Sequence, residues 1–441
     1  MKRKMQSVLK VCLAAFSAVL ILSSCTGKPA TDETVNDGKL KIRQSSSVSG
    51  GLDAGQSLLG DKILSRFSEI EEKYGCKVEV TVASPSAILD YMQTSAAGTV
   101  RYADIVYTDT SSVYSLWQGG LLRSMQDMED IDPDADKWGA AGLRQLLTLQ
   151  DGKTYGFTNA FWADPLPRIS GILYYNEAII RSHGLISPSE LSSSGKWDFE
   201  AFTDLCRKVT HDGVFGFTAP SASDPEFIHS AIYANGSSKV LYENGRFVCG
   251  YDTSGTVRAL EWVRKLVGEE KVSYEGDLTP AEAFNRGLPL FYAADSSAGT
   301  DNSDDSVLNT LGQDLRWCAF PSGYTAPEDG TAYYRYGSNV MAITKFADPS
   351  LGKVIDALFE PLPGRSADSW KASAGRSLFF HTEDLELYAK MISSAGTDRS
   401  VVVADAQDSL DMMLEKVVKG YSTPIEAVEQ MQSLVSASLP D

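Results

Sequence analysis

Histidine is scarce. The chain has four, His183, His211, His229 and His381, and no two stand at a spacing that could hold a metal ion. It also lacks a Gly-x-Ser-x-Gly elbow, a Gly-x-x-x-x-Gly-Lys phosphate loop, a Gly-x-Gly-x-x-Gly turn and a His-Glu-x-x-His pair. Motif-borne hydrolase, nucleotide and zinc-protease chemistries therefore have no local support, and no cofactor is expected. Cations are outnumbered, 40 Lys and Arg against 58 Asp and Glu, for a net charge of −18. Such a chain is a poor partner for nucleic acid, whose binding depends on neutralising phosphates. Acidic pairs are abundant, but among 58 carboxylates they are no mark of glycosidase chemistry.

Long apolar runs are missing too. Val11–Leu22 is a twelve-residue apolar stretch, short of the roughly 20 residues a membrane helix needs. Lys2, Arg3, Lys4 and Lys10 precede it and Leu22-Ser23-Ser24-Cys25 closes it, the layout of a secretory leader. The closing tetrapeptide resembles a bacterial lipobox, with Ser24 where Gly or Ala is commoner. The expectation is a signal peptide over 1–24, a lipid on Cys25, and a polar tether to Asp37 that leaves the body anchored outside the cytoplasmic membrane. Of six cysteines, Cys12 leaves with the leader. Cys76, Cys206, Cys249 and Cys318 sit far apart among apolar neighbours, compatible with free thiols or with one or two disulfides.

What remains is globular. Hydrophobic content is 43% and charged content 22%, and 441 residues exceed the ~250–300 at which one core stops growing, so two lobes are expected. Lys39–Arg43 and Lys77–Val82 alternate as strands and flank a helix over Asp61–Tyr74 whose Ile63, Leu64, Phe67 and Ile70 share a face. Gly75 is the expected helix stop, and the unit reads as βαβ with parallel strands. Further helices are expected at 86–97, 113–118, 199–209, 257–267, 280–286, 408–419 and 424–439. Further strands are expected at 103–107, 156–158, 172–175, 288–292 and 340–344, with a loop over 295–305.

In open α/β sheets, ligands bind beyond the carboxyl ends of the strands. That rule selects Gln44, Ser45, Ser46, Ser47, Thr108, Asp109 and Asp295, although Asp109 reads equally as a helix cap. Phe161-Trp162-Ala163-Asp164 sets aromatic faces beside a carboxylate, a pairing that can hold both an apolar ring face and hydroxyls of a ligand. Trp197 and Trp262 are expected to be structural.

Several segments, in order, resemble the maltose-binding-like solute-binding proteins of ABC importers. They are Asp104–Asp109 with Gly119–Leu122, Asp151–Gly156, Ile172–Glu177 with His183–Leu185, Trp197–Phe202 with Asp212–Gly216, Ala281–Tyr292, Gly337–Ile343 and Ser422–Ala427. The resemblance implies a periplasmic-binding-protein-like type II α/β fold with ligand held between two hinged lobes. It places one lobe at 38–158 plus 294–338 and the other at 159–293 plus 339–441. It adds Asp224, Glu226, Tyr336, Ser338, Asp405 and Gln407 to the binding set, with Glu226 standing where the family commonly has an aromatic. The function it implies is capture of a carbohydrate, an oligosaccharide by expectation, by a non-enzymatic monomer that delivers it to permease subunits. The same fold could hold a polyamine, phosphodiester or peptide, and a surface glycoside hydrolase is the reading of another class.

Overall fold

The computed structural model describes residues 38–46, 52, 58–97, 101–139, 141–158, 168–219, 225–324, 333–334, 336–337, 339–366, 369–393 and 396–440. Cys25 and the expected leader and tether lie outside them.

Two four-stranded sheets organise the described residues. The first has Lys39–Ser45 parallel to both Lys77–Ala83 and Ile105–Asp109, with Asn339–Ile343 added antiparallel to Ile105–Asp109. The expected βαβ unit is therefore present, its helix running Leu58–Tyr74 and ending at Gly75, whose φ of +64° only glycine adopts cheaply. The second sheet places Ile172–Asn176 antiparallel between Leu315–Ala319 and Pro289–Ala294, with Phe215–Thr218 parallel to the latter.

Alternation along the strands sets the layers. In the first sheet Ile105 and Tyr107 face a core with Ile63, Phe67 and Ile70 of helix Leu58–Tyr74, while Val106 faces the other way. In the second, Leu173 and Tyr175 face a core with Phe199, Phe202, Trp262, Leu410 and Val428, drawn from four helices. Ile172, Tyr174, Tyr292 and Trp317 face the other way, into one cluster with Val106, Val340 and Ala342 of the first sheet. Burial of such side chains contributes roughly 1.5–3 kcal/mol each. Trp262 stacks on Phe199 at 3.9 Å, and Trp197 donates its indole N–H to the Ala319 carbonyl at 2.8 Å, so both are structural as expected.

Strand pairing departs from the expected lobe boundaries. Leu315–Ala319, assigned to the first lobe, pairs with Ile172–Asn176 in the second sheet. Asn339–Ile343, assigned to the second, pairs with Ile105–Asp109 in the first, and Val354, Ile355 and Leu358 join that sheet's core. Periodicity tells which face of a strand is buried and is silent on which strand lies beside it. The segment 295–305 is no plain loop, since Ser296–Thr300 is a short helix. Only Phe157 of 156–158 bridges, to Met341. Cys76, Cys206, Cys249 and Cys318 are all free thiols. Among the described residues no helix is long and apolar enough to cross a membrane.

Candidate functional site

A cavity of about 350 Å³ opens at the carboxyl end of strand Pro289–Ala294. Its described walls come from the second-sheet half. Helix Pro225–Ala234 supplies Glu226, Phe227 and Ser230, the strand and the turn after it supply Tyr292 to Asp295, and Ser297, Ala298, Gly171, Ile172 and Phe320 complete it. The size falls at the lower end of small-molecule sites.

Asp295 is held rigidly. One carboxylate oxygen accepts the backbone N–H of Ser297 at 2.8 Å and also the Ser297 hydroxyl, capping helix Ser296–Thr300. The other accepts Arg168 Nη2 at 2.6 Å. The Asp295 carbonyl accepts the Tyr174 hydroxyl at 2.9 Å. Gly299 lets this helix lie directly on Tyr174 and Trp317, where any Cβ would collide with both rings. On the facing helix the Ser230 hydroxyl donates to the Glu226 carbonyl at 2.9 Å. Phe227 is fixed by a stack on Phe217 at 5.1 Å and an edge contact with Phe320 at 5.3 Å. The cavity thus offers carboxylates and hydroxyls around aromatic faces, the donor and acceptor set that polyols use.

The expected site residues separate into groups. Glu226 and Asp295 line the cavity. Ser45, Ser46, Thr108 and Asp109 gather at strand ends of the first sheet and do not line it. There, Ser45 and Thr108 are buried, Ser46 is exposed, and the Ser46 backbone N–H donates to the Ala83 carbonyl at 2.8 Å. Asp109 caps helix Thr110–Gln118: Oδ1 accepts the Ser112 backbone N–H at 2.9 Å and the Ser111 hydroxyl, and Oδ2 accepts the Ser112 hydroxyl at 2.9 Å. Burial pushes this carboxyl up, but the bonds from Ser111 and Ser112 outweigh it and hold it below the usual carboxylate range. Asp405 is exposed. Gln407 does not reach the cavity, because its carbonyl oxygen accepts Lys239 Nζ at 2.7 Å and its amide donates to Asp411 at 2.6 Å. Strand Tyr336–Gly337 pairs with Arg168–Ile169, next to the Arg168–Asp295 pair. Trp162, Asp164, Asp224 and Ser338 lie outside the described residues. Phe227, Ser230, Tyr292, Ser297 and Phe320 were not singled out by sequence. Phe227 directly follows Glu226, which the resemblance added to the binding set, and Tyr292 ends an expected strand.

Residues 65–350 match the family model described as "Bacterial extracellular solute-binding protein". The match covers most of the chain, which belongs to that family of extracellular binding proteins. Solved structures share the fold at low identity. A cyclic α-maltosyl-1,6-maltose binding protein from Arthrobacter globiformis has a TM-score of 0.63 at 13% identity, covering 91% of this chain and 98% of its own. A cyclo/maltodextrin-binding protein solved with maltotetraose has a TM-score of 0.63 at 15% identity over 94% and 98%. An ABC substrate-binding protein from Listeria monocytogenes, solved with cycloalternan, has a TM-score of 0.55 at 16% identity over 91% and 98%. No curated protein matches the sequence. The type II periplasmic-binding-protein fold expected from the sequence is thus the fold found.

Proposed function

We propose that this protein captures an oligosaccharide, with the cavity between Glu226 and Asp295 as the anchoring part of its site, and delivers it unaltered to an ABC permease. The observation that carries this reading is the cavity itself, in which Glu226, Asp295, Ser230 and Ser297 surround Phe227, Tyr292 and Phe320. The three fold relatives add support, since each is a saccharide-binding protein by name or was solved with a saccharide. The first-sheet strand ends at Ser45, Ser46 and Thr108 form the opposite jaw, brought to the ligand by hinge closure, with Asp109 capping the helix beside them. Ligand favours the closed form only through contacts made in that form alone. A lipid on Cys25 holds the monomeric body at the outer face of the cytoplasmic membrane. Calorimetric titration with linear and cyclic gluco-oligosaccharides, followed by chromatography of the sugars, tests this. Binding without turnover is expected, and a bound sugar at ~100 times its dissociation constant adds ~2.7 kcal/mol of stability. Cleavage of the sugar, or no binding across the panel, contradicts it.

A further inference from the structure

The helix that walls the cavity is tied on its other side to a buried polar chain. His229 Nε2 lies 3.3 Å from Asp411 Oδ1, and the same oxygen accepts the Gln407 amide at 2.6 Å. Gln407 accepts Lys239 Nζ at 2.7 Å, and the Lys239 backbone N–H donates to Asp398 at 3.0 Å. Asp398 also accepts the Ser238 hydroxyl at 2.6 Å and the Ser400 N–H at 3.1 Å.

The next residue carries the chain into the first-sheet half. The Arg399 backbone N–H donates to the Val240 carbonyl at 3.1 Å, while its Nη1 donates to the Thr148 carbonyl at 2.6 Å and approaches that of Leu146 at 3.5 Å. Leu146 ends helix Ala141–Leu146, whose last carbonyls have no partner within the helix and favour a cation. The Arg399 guanidinium lies 5.4 Å from the Tyr242 ring centre, and the Tyr242 hydroxyl donates to the Gln150 carbonyl at 2.9 Å. Segment 146–150 reaches the first sheet through Tyr155, whose N–H donates to the Leu147 carbonyl, and Phe157, which pairs with Met341, while Leu149 packs in the core of the second.

His229, Lys239 and Asp398 are at most 2% exposed and Arg399 is 8% exposed, while Gln407 is half-buried and the Asp411 side chain 28% exposed. At that burial, removing one member leaves its partner's charge or dipole uncompensated, so strain passes along the chain rather than into water.

We propose that Arg399 and Asp411 are positioning residues: the buried chain fixes helix Pro225–Ala234, and with it Glu226, Phe227 and Ser230, to the contact at 146–150. This rests on the cavity being the capture site, but its test needs no ligand. Native-state amide hydrogen exchange of the mature chain is compared with that of Arg399→Gln, Arg399→Lys, Asp411→Asn and the Arg399→Gln/Asp411→Asn double variant. Arg399→Gln is expected to speed exchange of the hydrogen-bonded amides of 229–234 by about tenfold. Arg399→Lys, which keeps the charge and a donor, restores it to within about threefold, and the double variant exceeds the larger single effect by less than about twofold. Acceleration confined to 146–150, 238–242 and 396–402, or fully multiplying effects in the double variant, overturns the proposal. Should Arg399→Gln not fold, Tyr242→Phe removes only the bond to Gln150. It must then speed the same helix in the same direction, and an unchanged helix overturns the proposal. Because exchange is read without sugar, a failed sugar panel leaves this result standing on its own.

Discussion

Asp109 and Asp295 occupy the same place in two different sheets. Each follows a buried strand, and each caps the helix that comes next. Their surroundings differ. Asp109 is ringed by Ser111 and Ser112 and borders no described cavity wall, whereas Asp295 shares its load between Ser297 and Arg168 and stands at the rim of a 350 Å³ space. A capping aspartate is thus compatible with either a structural or a recognition role. Which one it plays is decided by the facing element, here the aromatic and polar face of helix Pro225–Ala234.

Substitutions can break this comparison. The largest effect is expected from Phe227→Ala, which removes a cavity wall and the stack on Phe217 together. Stability should fall by about 3–5 kcal/mol in chemical denaturation, and sugar binding should be lost. Asp295→Ala should weaken sugar binding by about 30-fold or more, because a ligand hydroxyl is left unpaired, and it should also cost about 1 kcal/mol of capping. Asp109→Ala should cost a similar ~1 kcal/mol of stability while leaving affinity for the sugar within a few-fold. If Asp109→Ala abolished binding instead, the first-sheet cluster would be the anchoring jaw.

Acid should act on the second-sheet half through His229 at a higher pH than on the first through Asp109. In the second, burial and then the Lys239 ammonium pull His229 from 6.5 to about 4. The unfolded chain takes up that proton first, so this contribution is whole above about pH 6.5 and is lost as the pH falls toward 4. Lys239, Asp398 and Asp411 are the charged groups facing the ring. Asp109 works at lower pH. Its pKa lies below 3.8, so its contribution is present above that value and is lost as the pH falls through the folded one. Melting temperatures measured from pH 7 to 4 should decline, and His229→Gln should flatten the decline. An unchanged slope in that variant would remove His229 from the account.

Much of this architecture was legible because strands and helices announce themselves by period. Lys39–Arg43, Lys77–Val82, Ile172–Tyr175 and Phe199–Val209 all fall within observed elements of the expected kind. Neighbour relations were not legible: the resemblance grouped 315–319 with the first lobe and 339–343 with the second, whereas they pair in the second and the first sheet respectively. Two routes each reached one side of the cavity. The strand-end rule found Asp295, and the family resemblance found Glu226. Neither found Phe227, Ser230 or Phe320, since an aromatic in an apolar helix or strand end looks the same in sequence whether it meets core or cavity. The resemblance placed Gln407 at the ligand, and the structure adds that its amide is bonded to Lys239 and Asp411.

Side-by-side calorimetry of the unmodified protein, Asp295→Ala and Asp109→Ala with one bound oligosaccharide tests the central claim most directly. If Asp295 anchors the sugar, the dissociation constant is about 30-fold or more higher for Asp295→Ala and nearly unchanged for Asp109→Ala. Equal affinities in the unmodified protein and Asp295→Ala would contradict it.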